Sequence, residues 1–71
     1  MKLKYDKEAD AAYIYLKGNI CAGEVKKTIS TSENINLDFD KEQKLIGIEI
    51  LNASKVMPKR IISESLLVSN R

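Results

Sequence analysis

Hydrophobic and polar residues alternate along two neighbouring stretches in the middle of the chain, residues 35–40 and 45–51. Because side chains along a β-strand point to opposite faces in turn, each stretch is typical of a strand with one apolar and one polar face. The charged segment 41–44 has the length of a four-residue hairpin loop. A slip of one residue would mix the two faces, so the pattern also predicts the pairing. The expected facing pairs are Asp40 with Leu45, Asp38 with Gly47, and Asn36 with Glu49.

Three further strands are predicted before this hairpin. Residues 2–5 alternate lysines with apolar residues, which is typical of an exposed edge strand. Residues 11–16 are apolar on both faces, which indicates a central strand or one covered on both sides. Residues 25–30 are less apolar and are expected at the other edge.

After Leu51 the apolar spacing changes from the strand period to the helical one. A helical turn is predicted over residues 53–57, with Asn52 or Ser54 as its N-cap. Pro58 restricts the residue before it, so a break and then a second helix over about 58–68 are expected. This helix has a stripe at helical spacing made of Ile61, Ile62, Ser65, Leu66 and Leu67. The chain is thus predicted to be one α+β domain over residues 1–71, an antiparallel sheet of four to five strands followed by a C-terminal helix packed on one face.

Composition limits how such a domain gains stability. A chain of 71 residues has a single small core worth roughly 3–5 kcal/mol, so small domains often add a disulfide, a metal or a second subunit. With one cysteine and no histidine, neither an intrachain disulfide nor a Cys/His zinc site can form. Oligomerisation is the remaining route. Cys21, between Ile20 and Ala22, is expected to be a small buried residue.

Charge and apolar runs exclude several classes of protein. A net charge of +2 is too small to indicate nucleic acid or an anionic membrane as a partner. The first residues lack the apolar segment of a signal peptide, and no apolar run approaches the ~20 residues that span a bilayer. A cytoplasmic location is therefore expected.

The polar face of the central hairpin is the first candidate for chemistry. In the predicted register, Glu49 lies diagonal to Asp38, at roughly 7–8 Å between Cα atoms. Two carboxylates at this separation can hold a hard cation or act as an acid/base pair. The alternative is that they form the solvated side of an ordinary sheet.

Two other motifs allow a functional and a structural interpretation. The spacing Asp6-x-Glu8-x-Asp10 is similar to half of a calcium loop but lacks its glycine and distal glutamate, so a turn with capping aspartates is preferred. Tyr13 and Tyr15 share one strand face and have the chemistry to stack on nucleobases. No basic residues interleave with them, so packing under the helix or in a subunit interface is the preferred interpretation.

Basic pairs occur at residues 26–27 and 59–60, where a phosphate site or a solvated surface is possible. No catalytic, cofactor-binding or metal-binding residue is assigned, and no cofactor is expected. The candidate functional face consists of Asp6, Asp10, Tyr13, Asn36, Asp38, Asp40 and Glu49.

Three segments together resemble one known family. They are Tyr5-Asp6-x-x-x-Asp10-x-x-Tyr13-Ile14, then Asp38-x-Asp40, then Gly47-Ile48-Glu49-Ile50. The combination is similar to the small prokaryotic proteins of domain-of-unknown-function family 2283. That resemblance implies a sheet-plus-helix fold and a free-standing small protein, and it implies no activity. The family often has a glycine in the hairpin loop, whereas residues 42–44 contain none.

Three functional hypotheses remain open. The first is a non-catalytic interaction module, a homodimer or the binder of a small protein partner, with a toxin-neutralising protein as one version. The second is a metal-dependent or acid/base enzyme that uses Asp38, Asp40 and Glu49. The third is weak nucleic-acid binding through Tyr13, Tyr15 and scattered lysines, although neither nucleic acid nor a membrane is the expected partner.

Overall fold

The computed structural model describes residues 1–69, with side chains through Glu64. Five strands are followed by two helices. The elements are β1 (Lys2–Asp6), β2 (Ala11–Tyr15), β3 (Lys27–Ser30), β4 (Ile35–Phe39), β5 (Leu45–Leu51), α1 (Ala53–Val56) and α2 (Lys59–Ser69).

The five strands form one sheet in the order β1-β2-β5-β4-β3, and every neighbouring pair is antiparallel. The predicted fold class, an α+β domain with an antiparallel sheet and C-terminal helices packed on it, is confirmed. So are the edge positions of β1 and β3. The longest strand, β5, lies at the centre and pairs with β2 on one side and β4 on the other.

Strand alternation gives the sheet two chemically different faces. One cross-strand row consists of the apolar residues Leu3, Ile14, Ile48, Leu37 and Ile29. The neighbouring row on the opposite face consists of Lys4, Tyr13, Glu49, Asn36 and Ser30. We call these the apolar face and the polar face.

The helices pack on the apolar face at one end of the strands. Ala12 and Ile50 of the sheet form a buried cluster with Ala53 of α1 and Ile62 of α2. α1 contacts β2 and β5, and α2 contacts β1. Among the described side chains no large one is fully buried, so the core is as small as the chain length predicts.

The predicted break between the helices is present. Met57 has extended backbone angles (φ −107°, ψ 151°) directly before Pro58, because proline disfavours helical angles in its predecessor. Of the predicted apolar stripe, Ile62 is buried and Ile61 is 40% exposed. Ser65, Leu66 and Leu67 lie outside the described side chains. No helix within residues 1–69 has the length and apolar character needed to cross a membrane.

The register of the central hairpin is confirmed except at its loop. Asn36 pairs with Glu49, and Asp38 pairs with Gly47. The prediction that Asp40 faces Leu45 is wrong, because an irregularity after Asp38 makes Phe39 the partner of Leu45. The extra residue in β5 is a β-bulge, which strand alternation does not reveal.

Candidate functional site

Asp38 lies at the centre of a hydrogen-bond network on the polar face. The Tyr13 hydroxyl donates to Asp38 Oδ2 at 2.6 Å, and the Thr28 hydroxyl donates to Asp38 Oδ1 at 2.6 Å. Each carboxylate oxygen therefore has a donor from a different strand. The network links β2, β4 and β3 across the sheet.

Glu49 belongs to a parallel network one row away. Asn36 Nδ2 donates to Glu49 Oε1 at 2.9 Å, and the Ser30 hydroxyl donates to Asn36 Oδ1 at 2.6 Å. The sequence pattern brings Asn36 and Glu49 together correctly. Ser30 and Thr28 were not among the candidates, although hydroxyls at alternate positions of the edge strand are a usable signal for such cross-strand bonds.

Tyr13 reaches Asp38 by lying across the backbone of Gly47. A Cβ atom at residue 47 would overlap the phenol of Tyr13, its hydroxyl oxygen most closely. Glycine is therefore required at residue 47, because only a residue without a Cβ atom lets the Tyr13 ring approach the strand this closely. Partial burial, followed by the hydrogen bond to Asp38, raises the pKa of Tyr13 well above its usual range.

The two tyrosines of β2 pack on each other. Their ring centroids lie 4.7 Å apart in an edge-to-face arrangement, and the Lys2 ammonium lies 5.0 Å from the centroid of the Tyr15 ring. The expectation that these rings pack under the helix is wrong. Register places them on the polar face, whereas the helices cover the opposite face.

Asp10 anchors α1 to the rest of the fold. Its Oδ1 accepts hydrogen bonds from the Tyr5 hydroxyl at 2.6 Å and from the Ser54 N–H at 3.0 Å, and its Oδ2 accepts from the Ser54 hydroxyl at 2.7 Å. Its carbonyl oxygen accepts from the Ala53 N–H at 2.8 Å. Asp10 therefore caps the helix from a distant loop, because a carboxylate near the first N–H groups of a helix satisfies them.

The predicted caps of α1 have other roles. Asn52 stands at the N-cap position without a side-chain cap, and its Nδ2 donates to Asn34 Oδ1 at 3.0 Å. Ser54 contributes donors to Asp10 instead. Asn52 is therefore the N-cap residue, as predicted, but its side chain does not cap the helix, and the alternative Ser54 is wrong. Short-range spacing does not reveal a cap supplied from another loop.

Asp6 and Asp40 stabilise turns. Asp6 Oδ1 accepts the N–H groups of Glu8 and Ala9, at 3.0 Å and 3.3 Å. Asp40 Oδ1 accepts the N–H groups of Glu42 and Lys44, at 2.8 Å and 3.0 Å. Both carboxylates hold local backbone turns, as aspartates commonly do.

The seven candidate residues thus separate into two groups. Tyr13, Asn36, Asp38 and Glu49 lie together in the polar networks, and Asp6, Asp10 and Asp40 lie in separate turns and caps. Among the described side chains, residues 1–64, no three His, Cys, Asp or Glu are grouped to hold a metal ion. The Asp38 carboxylate instead accepts hydrogen bonds from two hydroxyl groups.

The apolar face contains a second candidate surface. Its central row has no buried member: Leu3, Ile14, Ile48 and Leu37 are half-buried, and Ile29 is 40% exposed. Neither helix contacts β3 or β4 in the part of the chain described. We call Ile29, Leu37, Phe39 and Ile48 the open patch; Ile48 lies at its edge and also packs against the buried cluster.

A depression of about 200 Å³ adjoins the open patch, with Ile29, Phe39 and Lys27 in its lining. This volume is below the roughly 300–1,000 Å³ of typical small-molecule sites. A mixed-charge depression of about 450 Å³ lies between Lys17, Glu24 and the hairpin loop. Its lysines and carboxylates alternate, so it favours neither an anion nor a cation.

Cys21 lies in the loop between β2 and β3. It is exposed, and its N–H donates to Glu24 Oε1 at 2.6 Å. The expectation of a buried cysteine is wrong, because the loop turns outward there. A thiol on an irregular surface loop does not contribute to the core.

Comparison with known proteins identifies the family of the chain but no activity. A family model described as protein of unknown function (DUF2283) matches residues 2–54. An uncharacterized protein of Methanocaldococcus jannaschii is 41% identical over 56 residues, which cover 79% of this chain and 44% of that relative. The chain therefore spans less than half of the length of this relative. No solved structure matches the chain. Because the family model extends from β1 into α1, the resemblance expected from the three sequence segments is confirmed, and the chain belongs to the DUF2283 family.

Proposed function

We propose that this protein is a small, non-catalytic interaction module that binds a partner protein through the open patch. One observation carries this proposal: the central row of the apolar face crosses all five strands without a single buried residue. An antiparallel sheet commonly packs its apolar face on the core and solvates only the other face. Contiguous apolar surface left open on a small domain marks an interaction site.

The position of the open patch favours a protein over a small molecule. Ile29, Leu37 and Phe39 lie side by side on two strands that no helix contacts within residues 1–69. The surface is broad, and its depression is too small for a typical ligand pocket. Partner proteins, in contrast, gain free energy in proportion to the apolar area that they remove from water.

The polar face gives less support to the alternative functions. An acid/base role needs a carboxylate free to exchange a proton with substrate, and both oxygens of Asp38 already accept hydroxyl donors. Nucleobase stacking needs free ring faces, and Lys2 lies over the ring of Tyr15. These contacts support a stabilising role for the polar face.

The proposal is tested by comparing one substitution on each face of the same strand. Ile29→Lys places a charge in the open patch, and Ser30→Lys places the same charge on the opposite face of β3. Both residues are exposed, so both variants are expected to fold. Each tagged protein is purified from its native cells, and the mass of the intact assembly is measured by native mass spectrometry.

We expect the wild-type and Ser30→Lys proteins to carry a bound protein chain, either a second copy or another protein, at fixed stoichiometry. We expect Ile29→Lys to lose that chain, because an unpaired charge in an apolar interface is costly. Wild-type protein recovered only as a free monomer would overturn the proposal. So would a complex that Ile29→Lys leaves intact.

A further inference from the structure

We infer that the partner for the open patch is a second copy of this chain, in a symmetric dimer whose sheets pack apolar face to apolar face. The inference rests on the proposed function and names its partner. Three separate features of the single chain support it: its excess surface, the chemistry of the patch, and the edge strand beside the patch.

The exposed area of the whole chain is larger than the average for a folded monomer of its mass. A monomeric protein of 8.0 kDa is expected to expose roughly 4,450 Å². This chain exposes 5222 Å², which is roughly 770 Å² more than expected. A standard protein interface buries about 800 Å² on each partner. The whole-chain surplus is of the same size as one side of one standard interface.

The chemistry of the patch fits a partner with the same surface. Among the strand residues of the apolar face, all of which lie in the described region, Lys27 alone is charged. It stands at the end of the edge strand, at the rim of the patch. Homodimer interfaces are more apolar than transient ones and are depleted of charge at their centre. A two-fold axis brings one patch onto an identical patch, so an apolar surface is self-complementary without charge matching.

The geometry places the dyad over β4. The helices of one copy cover β1, β2 and part of β5, so β3, β4 and the remaining part of β5 are free to pack on another sheet. Two such halves pack at about 10 Å separation. With the axis over β4, Leu37 of one copy faces Leu37 of the other, and Ile29 faces Ile48.

The same arrangement covers the open edge of the sheet. All four residues of β3 (Lys27–Ser30) are exposed, and an uncovered edge strand is a site of unwanted association. In the face-to-face dimer the helices of each copy lie beside the β3 edge of the other. Val56 and Ile61, which are 37% and 40% exposed, are then available to pack against that edge.

The test uses two charge variants at the dyad, Leu37→Lys and Leu37→Glu. In a symmetric dimer each variant places two like charges opposite each other, so each purified variant is expected to be monomeric. Mixing them places opposite charges together and restores a 1:1 dimer. This restoration is specific to a two-fold interface centred near Leu37, because a patch that met a different surface would not bring the two charges together.

Sedimentation equilibrium of the purified full chain provides the measurement, from about 1 μM to about 1 mM, the range in which Kd values of moderate interfaces lie. We expect the wild-type chain and Ser30→Glu to dimerise equally, and Ile29→Glu to raise the dimer Kd by more than about tenfold. Circular dichroism shows whether the Leu37 variants fold. If they do not, Ile29→Glu remains informative, because Ile29 is exposed.

Two outcomes would overturn the inference. One is a wild-type chain that stays monomeric at about 1 mM, a concentration well above the Kd of stable dimers. The other is a dimer that Ile29→Glu leaves unchanged. A monomer that still recovers a different protein from its cells through Ile29 would refute the second copy and leave the proposed function standing. A chain that forms no dimer and also recovers no other protein would refute both the dimer and the proposed function.

Discussion

Tyr13 and Asp38 are joined by a 2.6 Å hydrogen bond that crosses the central strand β5. Tyr13 pairs with Glu49 and Asp38 pairs with Gly47, so the bond runs diagonally over the backbone of Gly47. The bond thereby ties β2 to the β4–β5 hairpin and joins residues that are 25 positions apart in the chain. The register decides which residues reach the open patch, since the side-chain period is two.

The first prediction concerns the space that Gly47 leaves for Tyr13. We expect Gly47→Ala to lower the free energy of unfolding by about 1–3 kcal/mol, the usual cost of overpacking a filled site. The reason is that the new methyl group overlaps the phenol ring. Urea denaturation followed by circular dichroism measures the change.

A second background separates the overlap from a general effect of alanine. In Tyr13→Thr the ring is absent and strand propensity is kept. There, Gly47→Ala is expected to be neutral or stabilising by up to about 1 kcal/mol, because alanine loses less backbone entropy than glycine. Equal destabilisation in both backgrounds would contradict this account of Gly47.

The second prediction concerns alkaline pH. The pKa of Tyr13 in the folded protein lies above its ordinary value near 10, through partial burial and the bond to Asp38. The folded state therefore holds this proton more tightly than the unfolded state. The stabilisation is complete below about pH 10 and is lost as the pH rises from there towards the folded pKa.

Tyr13→Phe removes this titration. We expect it to lower stability at neutral pH by about 1 kcal/mol, the scale of a charge-assisted hydrogen bond at a partly exposed site. Above about pH 10 its stability should fall less steeply than that of the wild type. Tyr5→Phe is a suitable comparison variant, because it removes the hydroxyl of a second tyrosine whose pKa is raised, in this case first by its hydrogen bond to Asp10. Parallel alkaline stability curves for Tyr13→Phe and wild type would contradict the prediction.

Much of the fold was predictable because it depends on local alternation. The facing pairs of Asn36 with Glu49 and Asp38 with Gly47 follow from period two and a short loop. The bulge beside Phe39 does not, because alternation cannot show that one strand has gained a residue. The cap that Asp10 gives to Ser54 joins residues 44 positions apart, beyond the range of any capping pattern.

Of the two candidate surfaces, one was predictable from the sequence and the other was not. Polar residues on one strand face were identified from their spacing, and Asn36, Asp38 and Glu49 do lie together. The open patch was not identified, because Ile29 and Leu37 have the pattern of an ordinary core. Whether an apolar face is covered depends on where the helices pack. Strand periodicity does not determine the position of a helix over a sheet.

The third prediction concerns the hairpin loop. Gln43 has a positive φ of 66°, a left-handed conformation that costs a residue with a side chain roughly 1 kcal/mol. Gln43→Gly is expected to raise the free energy of unfolding by about 0.5–1 kcal/mol, since glycine adopts this conformation without strain. Glu42→Gly is the control, because that residue lacks a positive φ and glycine there should only destabilise.

The fourth prediction concerns acid. Hydrogen bonds from Tyr5 and then Ser54 hold the pKa of Asp10 below its ordinary value near 3.8. Asp10 is therefore deprotonated in the folded state at pH values where the unfolded chain begins to bind a proton. Its stabilising contribution is complete above an unfolded-state pKa of about 4 and is lost as the pH falls through the lower folded pKa.

Asp10→Asn keeps a residue that tolerates the positive φ of 52° at this position and removes the titration. We expect Asp10→Asn to be less stable than wild type near neutral pH, and the difference to shrink as the pH falls below about 4. Asp40→Asn is the matched control, since the pKa of Asp40 is also lowered, first by the Lys44 N–H, yet Asp40 does not contact α1. Amide hydrogen exchange distinguishes the two: Asp10→Asn should speed exchange at Ser54, and Asp40→Asn should speed it at Lys44. If Asp10→Asn left exchange at Ser54 unchanged, Asp10 would not be the cap of α1.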